Sequence, residues 1–369
     1  MFYYLYNLSR DYEFLSFFRL FDSILFRSTA AMISSLLISI IFGRYIINFL
    51  YKIGMRDVVR DYQGISTNDK KGTPTMGGVL IIISVLISTL LWNNLGSVFP
   101  ILSIFSMVSF GLLGVYDDYS KVKHGHSDKG LSQLPKFILQ LSIAGIIAYI
   151  LVISDFTPYK DGESTKLYIP FIKNNFSFDL GYFQLLFVIF TIVSIANAVN
   201  FTDGMDGLAV VPSVSTAAVF GFLAYIIGNV NFSSYLLYTY IPNVSEITII
   251  SASLVGAGMG FLWFNSYPAS VFMGDTGSMA IGGLLAVIAV SAKQELLFII
   301  AGGIFVGEAF SSLIQEKVGI KILGRRLFFR APIHDTFRHM GLSEPKIVQR
   351  FWIVSIMLSL ASLLSIKVR

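Results

Sequence analysis

The residues of this chain that could do chemistry are aspartates set where apolar segments end. In FLWFNSYPASVFMGDTGS, residues 261–278, an apolar helix end carrying Asn265 passes through a Pro-containing turn to Asp275, beside glycine and threonine at the start of the next apolar helix. Asp275 reads either as a plain helix cap or, as one of a set of acidic loops, as a ligand for Mg²⁺, which takes few carboxylates together with phosphate oxygens. In GVYDDYSK, residues 114–121, Asp117 and Asp118 are adjacent and precede Lys121. Such a pair is a solvated helix end with an i,i+4 Asp–Lys contact, or a metal-holding and proton-accepting pair; on this loop alone the first reading is the commoner. In NAVNFTDGMDGLA, residues 197–209, two Asp-Gly steps make a turn and Asp206 can cap the following helix. That does not explain why Asn197, Asn200, Thr202 and Asp203 crowd the end of an apolar helix. Polar groups so close to lipid are paired or functional.

Three further segments are weaker alone. KKGTPTMGG, residues 70–78, has lysines beside a helix start, where free N–H groups suit an anion; Thr75 there is either a cap or a contact, and no Walker A loop is present. In FRAPIHDTFRHMG, residues 329–341, His334 follows a proline in a basic loop. It is an exposed side chain, or it donates to phosphate or balances the acidic cluster. Lys121 and Lys136 can neutralise phosphate charge. Phe272 either packs on neighbouring helices or stacks on a planar base. Glu308 lies within an apolar stretch, AGGIFVGEAFSSL. An intramembrane glutamate is a functional suspect, and a helix-packing or broken-helix role is as good a reading.

The elements that must position these residues are membrane helices. The 369 residues are 54% hydrophobic and only 13% charged, against about 25% charged in soluble domains. With no cysteine, thiolate metal sites are excluded, and with four histidines in no HxxxH or HExxH pattern no His-based zinc site is expected. The net charge of +5 is no nucleic-acid signature, because the position of the charges matters more than their total. No removable signal peptide is evident, and the Tyr- and Phe-rich residues 1–20 suit the membrane interface. Ten spans are expected, at about 22–50, 76–95, 98–116, 133–154, 182–199, 207–228, 246–265, 277–292, 295–315 and 348–366, in one all-α domain, 1–369. Most of the 27 Lys and Arg fall in loops 51–75, 117–132, 200–206, 266–276 and 316–347, so these loops are cytoplasmic and both termini lie outside. All the aspartate motifs then share the cytoplasmic face. The opposite loop 155–181, with FTPYKDGESTKLYIPF, reads as a small outer hairpin between spans four and five.

With these residues in place, the chain closely resembles the phospho-N-acetylmuramoyl-pentapeptide transferases of the polyprenyl-phosphate N-acetylhexosamine-1-phosphate transferase superfamily. The resemblance is carried by KGTPTMGG, DDYSK, NFTDGMDG, FNSYPASVFMGDTGS and APIH, in order from Lys70 to Gly341. It implies a multi-pass enzyme of the bacterial cytoplasmic membrane, expected as a homodimer. The implied reaction is Mg²⁺-dependent transfer of phospho-MurNAc-pentapeptide from UDP to undecaprenyl phosphate, giving lipid I and UMP. It also implies roles. Asp117 activates the lipid phosphate with Asp118 in support, Asp275 is the magnesium ligand, and His334 is the first of a catalytic histidine loop. Asn200, Asp203, Gly204, Met205 and Asp206 match a nucleotide loop, with Phe272 against the uracil, while Lys70, Thr75, Lys121, Lys136 and Asn265 match polar cleft positions. The family pattern APIHHH is here APIHDT, so Asp335 and Thr336 stand where histidines are usual. Two rival readings are a GlcNAc-1-phosphate transferase on the same lipid and a transporter. The absence of a repeat and of midplane charges other than Glu308 speaks against the transporter.

Overall fold

The computed structural model describes residues 1–6, 13–56, 72–124, 130–160, 162–172 and 177–366. Helices α1 (Ile24–Lys52), α2 (Gly78–Trp92), α3 (Val98–His124) and α4 (Gln133–Val152) lead to an antiparallel hairpin of β1 (Lys166–Tyr168) and β2 (Ser177–Asp179). Then come α5 (Phe183–Thr202), α6 (Val210–Ile227), the short α7 (Val230–Tyr235), α8 (Glu246–Asn265) and α9 (Gly274–Ser291). The chain closes with α10 (Phe298–Ala301), α11 (Gly303–Leu313) running on as a π-helical segment Ile314–Ile322, α12 (Ile333–His339) and α13 (Glu344–Leu363). Among the described residues, eight of these helices are long and apolar enough to cross a membrane, and α2 is a shorter apolar helix of 15 residues.

Helix α9 is the centre of the bundle. Every residue from Thr276 to Ser291 is buried, against α3, α5, α2 and α6. Its small residues make this possible. A Cβ placed on Gly78 would lie 2.0 Å from the Cα of Gly277, so two glycines let α2 and α9 touch backbone to backbone at the end that carries Asp275. The chain just before α2 is tied to the same place. Gly77 and Gly78 donate their N–H groups to the carbonyls of Phe272 and Met273 at 2.8 and 3.0 Å, and Phe272 N–H returns to Pro74 at 2.8 Å.

Several expected boundaries move, each for a physical reason. The third span continues past residue 116 to His124, because its polar residues find partners and carry the helix beyond the apolar run. Asp117, Asp118 and Lys121 are therefore helical rather than in a loop. The fifth extends to Thr202 and takes in Asn200. The eighth begins at Gly274, which puts Asp275 in its first turn. The second starts only at Gly78, because the backbone just before it is hydrogen-bonded to that of Phe272 and Met273. The expected ninth span, 295–315, is broken between α10 and α11 at Gly302, whose φ of −95° and ψ of 24° lie outside the helix. The expected hairpin is present, and Lys293 holds it to the bundle by donating to the carbonyls of Ser164 at 2.7 Å and Lys166 at 3.4 Å.

At the opposite end of α8 from the aspartates, Arg27 and Glu246 form a buried two-pronged pair at 2.9 and 2.8 Å. Arg27 also donates to the Trp92 carbonyl, and Glu246 accepts Asn94 N–H. Removing one partner strands the other charge in a dry site. Glu246→Ala is expected to cost about 3–5 kcal/mol, read as a lower detergent-unfolding midpoint. A double Arg27→Leu, Glu246→Leu protein is expected to recover most of it. Equal loss in the single and double variants would refute the argument.

Candidate active site

The three aspartates meet because α3, α4, α5 and α9 end together. Asp118 sits against the N-terminus of α9. Its Oδ1 accepts Asp275 N–H at 3.1 Å, and its Oδ2 accepts both the N–H and the hydroxyl of Thr276 at 2.9 and 2.7 Å. It thus supplies from another helix what a capping side chain supplies from its own. Gly274 has a φ of +72°, and a Cβ there would fall 2.5 Å from Asp118 Oδ2, so glycine is needed for both its conformation and its space.

Asp117 is one residue away and faces the other side. Its Oδ1 accepts Leu131 N–H at 2.7 Å, and its Oδ2 meets Lys121 Nζ at 2.7 Å and Lys136 Nζ at 3.3 Å. Both lysines also reach Asp275 Oδ2, Lys136 at 2.7 Å and Lys121 at 3.0 Å. Asp275 Oδ1 accepts from Asn200 Nδ2 at 3.0 Å, and Asn200 is set in turn by Ser278 at 2.9 Å. The expected i,i+4 contact of Asp117 with Lys121 is therefore present, but not at a solvated helix end, since Asp117 is 2% exposed. Two carboxylates and two ammonium groups share one point, with α4 contributing the second lysine.

These groups line a cleft of about 910 Å³. Every site residue expected from the sequence lines it except Lys70, which falls outside the described residues. Thr75 lies beside the Gly274 turn, and Phe272 is half-buried at the rim. Asp203 and Gly204 form the turn after α5. Three expected residues have their own structural work. Asn265 accepts Gly207 N–H at 2.9 Å and donates to the Val271 carbonyl at 2.8 Å. Asp206 accepts Ala269 N–H at 3.1 Å. Together they tie the turn after α5 to the loop before α9. Met205 packs with Leu208, Ile347 and Val348.

His334 closes the far wall. Its Nδ1 lies 3.0 Å from Glu308 Oε2, its backbone N–H donates to Glu308 Oε1 at 3.2 Å, and its Nε2 abuts Gly204. Burial disfavours its charged form, but the hydrogen bond and charge of Glu308, with Asp335 adding, outweigh that and raise its pKa above the ordinary value. Asp335, outside the expected site because a carboxylate there would repel the substrate, in fact lines the cleft, 3.9 Å from Nε2. Thr336 turns away and bonds the backbone of Arg330. Sequence reasoning missed Gln133, Ser312, Gln315, Glu316 and Arg338 on the cleft wall. Ser312 and Gln315 had a visible signal, since with Glu308 they recur at helical spacing. Gln315 uses its amide to accept the N–H groups of Leu327 and Phe328, each at 3.0 Å.

A cluster of paired lysines and carboxylates on the cleft wall, beside a helix N-terminus and with a histidine on the far wall, is suited to binding and transferring phosphate. The family model described as Glycosyl transferase family 4 matches residues 99–293, and the phospho-N-acetylmuramoyl-pentapeptide-transferase signature 1 matches residues 70–82. The chain is 43% identical over 349 residues to the phospho-N-acetylmuramoyl-pentapeptide-transferase of Maridesulfovibrio salexigens, covering 95% of each chain. It is 43% identical over 365 residues to the protein of that name from Citrifermentans bemidjiense, covering 99% of each. With likeness at this level along nearly its whole length, and the signature at the loop that pairs with Phe272 and Met273, the chain belongs to the phospho-N-acetylmuramoyl-pentapeptide-transferase family.

Proposed function

We propose that the protein transfers phospho-MurNAc-pentapeptide from UDP-MurNAc-pentapeptide to undecaprenyl phosphate. An oxygen of the lipid phosphate forms a bond to the sugar-linked phosphorus, the bond from that phosphorus to the bridging oxygen breaks, and UMP leaves with that oxygen. Lipid I remains in the membrane. The observation that carries this reading is the Asp117–Lys121–Lys136–Asp275 cluster inside the cleft. Two phosphates must approach each other, and the two ammonium groups offset that repulsion. The lipid phosphate is largely ionised near neutral pH, so Asp117 acts mainly by orienting the lysines and the acceptor. Asp203 and Gly204 hold the nucleotide side of the cleft, and Phe272 stacks on the uracil.

Magnesium fits this donor set. Asp117 and Asp275 each direct an oxygen at the point where the lysine ammonium groups lie, so the site already gathers cationic charge between two carboxylates. Mg²⁺ prefers one or two carboxylates completed by phosphate oxygens and water, and Asp275 is the principal ligand. When bound, the ion neutralises charge on the diphosphate.

The membrane arrangement follows from charge. Ten spans in one domain, with α2 and the broken pair α10–α11 counted among them, put the cleft on the Lys- and Arg-rich cytoplasmic side, and both termini and the hairpin outside. A homodimer is the expected assembly. The test is UMP release by purified protein with undecaprenyl phosphate, Mg²⁺ and either UDP-MurNAc-pentapeptide or UDP-GlcNAc. Turnover of the muramoyl substrate alone is expected. Turnover of UDP-GlcNAc alone would overturn the assignment and point to the His-Asp-Thr loop as its cause.

A further inference from the structure

Glu308 is the least expected charge in the chain. It lies in α11 amid apolar residues and is 1% exposed, yet neither carboxylate oxygen is idle. Oε1 accepts the backbone N–H of His334 at 3.2 Å and Oε2 faces His334 Nδ1 at 3.0 Å. The neighbouring turn reinforces this grip, because Ser311 Oγ accepts Ile333 N–H at 3.1 Å. On the other edge of the imidazole, a Cβ placed on Gly204 would fall 2.2 Å from Nε2. Gly204 and His334 both line the cleft. One ring nitrogen thus faces a buried carboxylate and the other lies against Gly204 in the cleft wall.

We infer that Glu308 is the positioning residue for His334: two acceptor oxygens meet two donors, so Nδ1 carries its hydrogen toward α11 and Nε2 is left at the wall of the phosphate-binding cleft. The inference rests on the proposed transferase reading for its catalytic consequence, but not for its geometry. Hydrogen-bond arithmetic makes it specific. A carboxylate has only acceptors, whereas the carboxamide of glutamine has one acceptor oxygen and a donor nitrogen. In Glu308→Gln the oxygen can take the His334 backbone N–H, and the NH₂ group then faces Nδ1. That reverses the polarity at Nδ1 and disfavours the cation. The charges facing the ring are Glu308 from α11 and Asp335 and Arg338 from its own helix. With Glu308 neutralised, Asp335 and Arg338 oppose each other and the imidazolium loses its main support.

The experiment is nitrogen-15 NMR of histidine-labelled full-length protein in detergent, with a UMP-release pH profile on the same samples. The chain has only four histidines, and the His334→Gln spectrum assigns the signal. In the wild type the neutral form of His334 is expected as the Nδ1–H tautomer. In Glu308→Gln it is expected as the Nε2–H tautomer. The alkaline limb of activity should move about one pH unit toward acid, because a raised pKa keeps the working cation present to higher pH and the variant loses that rise. At neutral pH the rate should fall about 10- to 100-fold, the worth of one charge-assisted hydrogen bond. Glu308→Asp should retain the Nδ1–H tautomer and recover part of the profile. It also serves where Glu308→Gln does not fold. An Nε2–H tautomer in the wild type, or a Glu308→Gln profile parallel to the wild type, would overturn the inference. A wild type with the Nδ1–H tautomer but no UMP release would instead sink the transferase reading and leave the positioning role intact.

Discussion

UMP release by the Asp275→Asn protein is expected to fall about 10³-fold, with the detergent-unfolding midpoint close to that of the wild type. The asparagine keeps the shape and still offers Oδ1 to Asn200, which holds the wild-type side chain at 3.0 Å. What it loses is the charge on the oxygen that meets Lys136 at 2.7 Å and Lys121 at 3.0 Å. The two ammonium groups are then held by Asp117 alone. The first turn of α9 also favours an anion, since the helix dipole and its free N–H groups place positive charge there. Removing the carboxylate therefore takes away both the proposed magnesium ligand and the group that divides the lysines between two anchors. Raising Mg²⁺ should not restore the rate, because the defect is in the donor and not in the concentration. Activity within about tenfold of the wild type would show that Asp275 does no more than sit in the first turn of a helix.

The membrane architecture was legible in the sequence because long apolar runs have few alternatives in lipid, and eight of the expected spans coincide with helices that meet the length and hydropathy demanded of a span. A broken helix was one reading of the stretch around Glu308, but the place of the break, Gly302, was not legible. A glycine pair inside an apolar stretch is compatible with an unbroken membrane helix, and only the conformation of Gly302 distinguishes the two. The aspartates were found by their cost, since polar groups near lipid need a reason. Their division of labour was hidden, because Asp117 and Asp118 are neighbours in the chain but point to different partners, one to lysines and one to a helix N-terminus. The partnership of Glu308 and His334 crosses a helix end and a loop with no periodic signal, so the sequence marked both residues without pairing them.

Asp118→Asn is expected to lose both stability and activity, and the link between the two losses is the useful result. Asp118 is buried and accepts three hydrogen bonds, from Asp275 N–H, Thr276 N–H and the Thr276 hydroxyl. Asparagine has one oxygen to offer, and its NH₂ group would confront at least one donor. With its oxygen kept on Thr276, the asparagine leaves one conflict, at Asp275 N–H, and an unmatched donor at a buried site costs about 1–3 kcal/mol, read as a fall in the unfolding midpoint. Asp275 is among the groups released, so its carboxylate shifts away from Lys136 and the rate falls by about 10²-fold although no residue of the lysine cluster has changed. Thr276→Val provides the control. It deletes only the hydroxyl donor, leaves both backbone bonds, and should cost about 1 kcal/mol with the rate little changed. If Asp118→Asn unfolds like the wild type yet releases no UMP, Asp118 acts on the substrate itself and its role as a cap is secondary. If stability and rate fall together, with Thr276→Val between variant and wild type in stability alone, the buried carboxylate works by holding the head of α9, and through it Asp275, at the floor of the cleft.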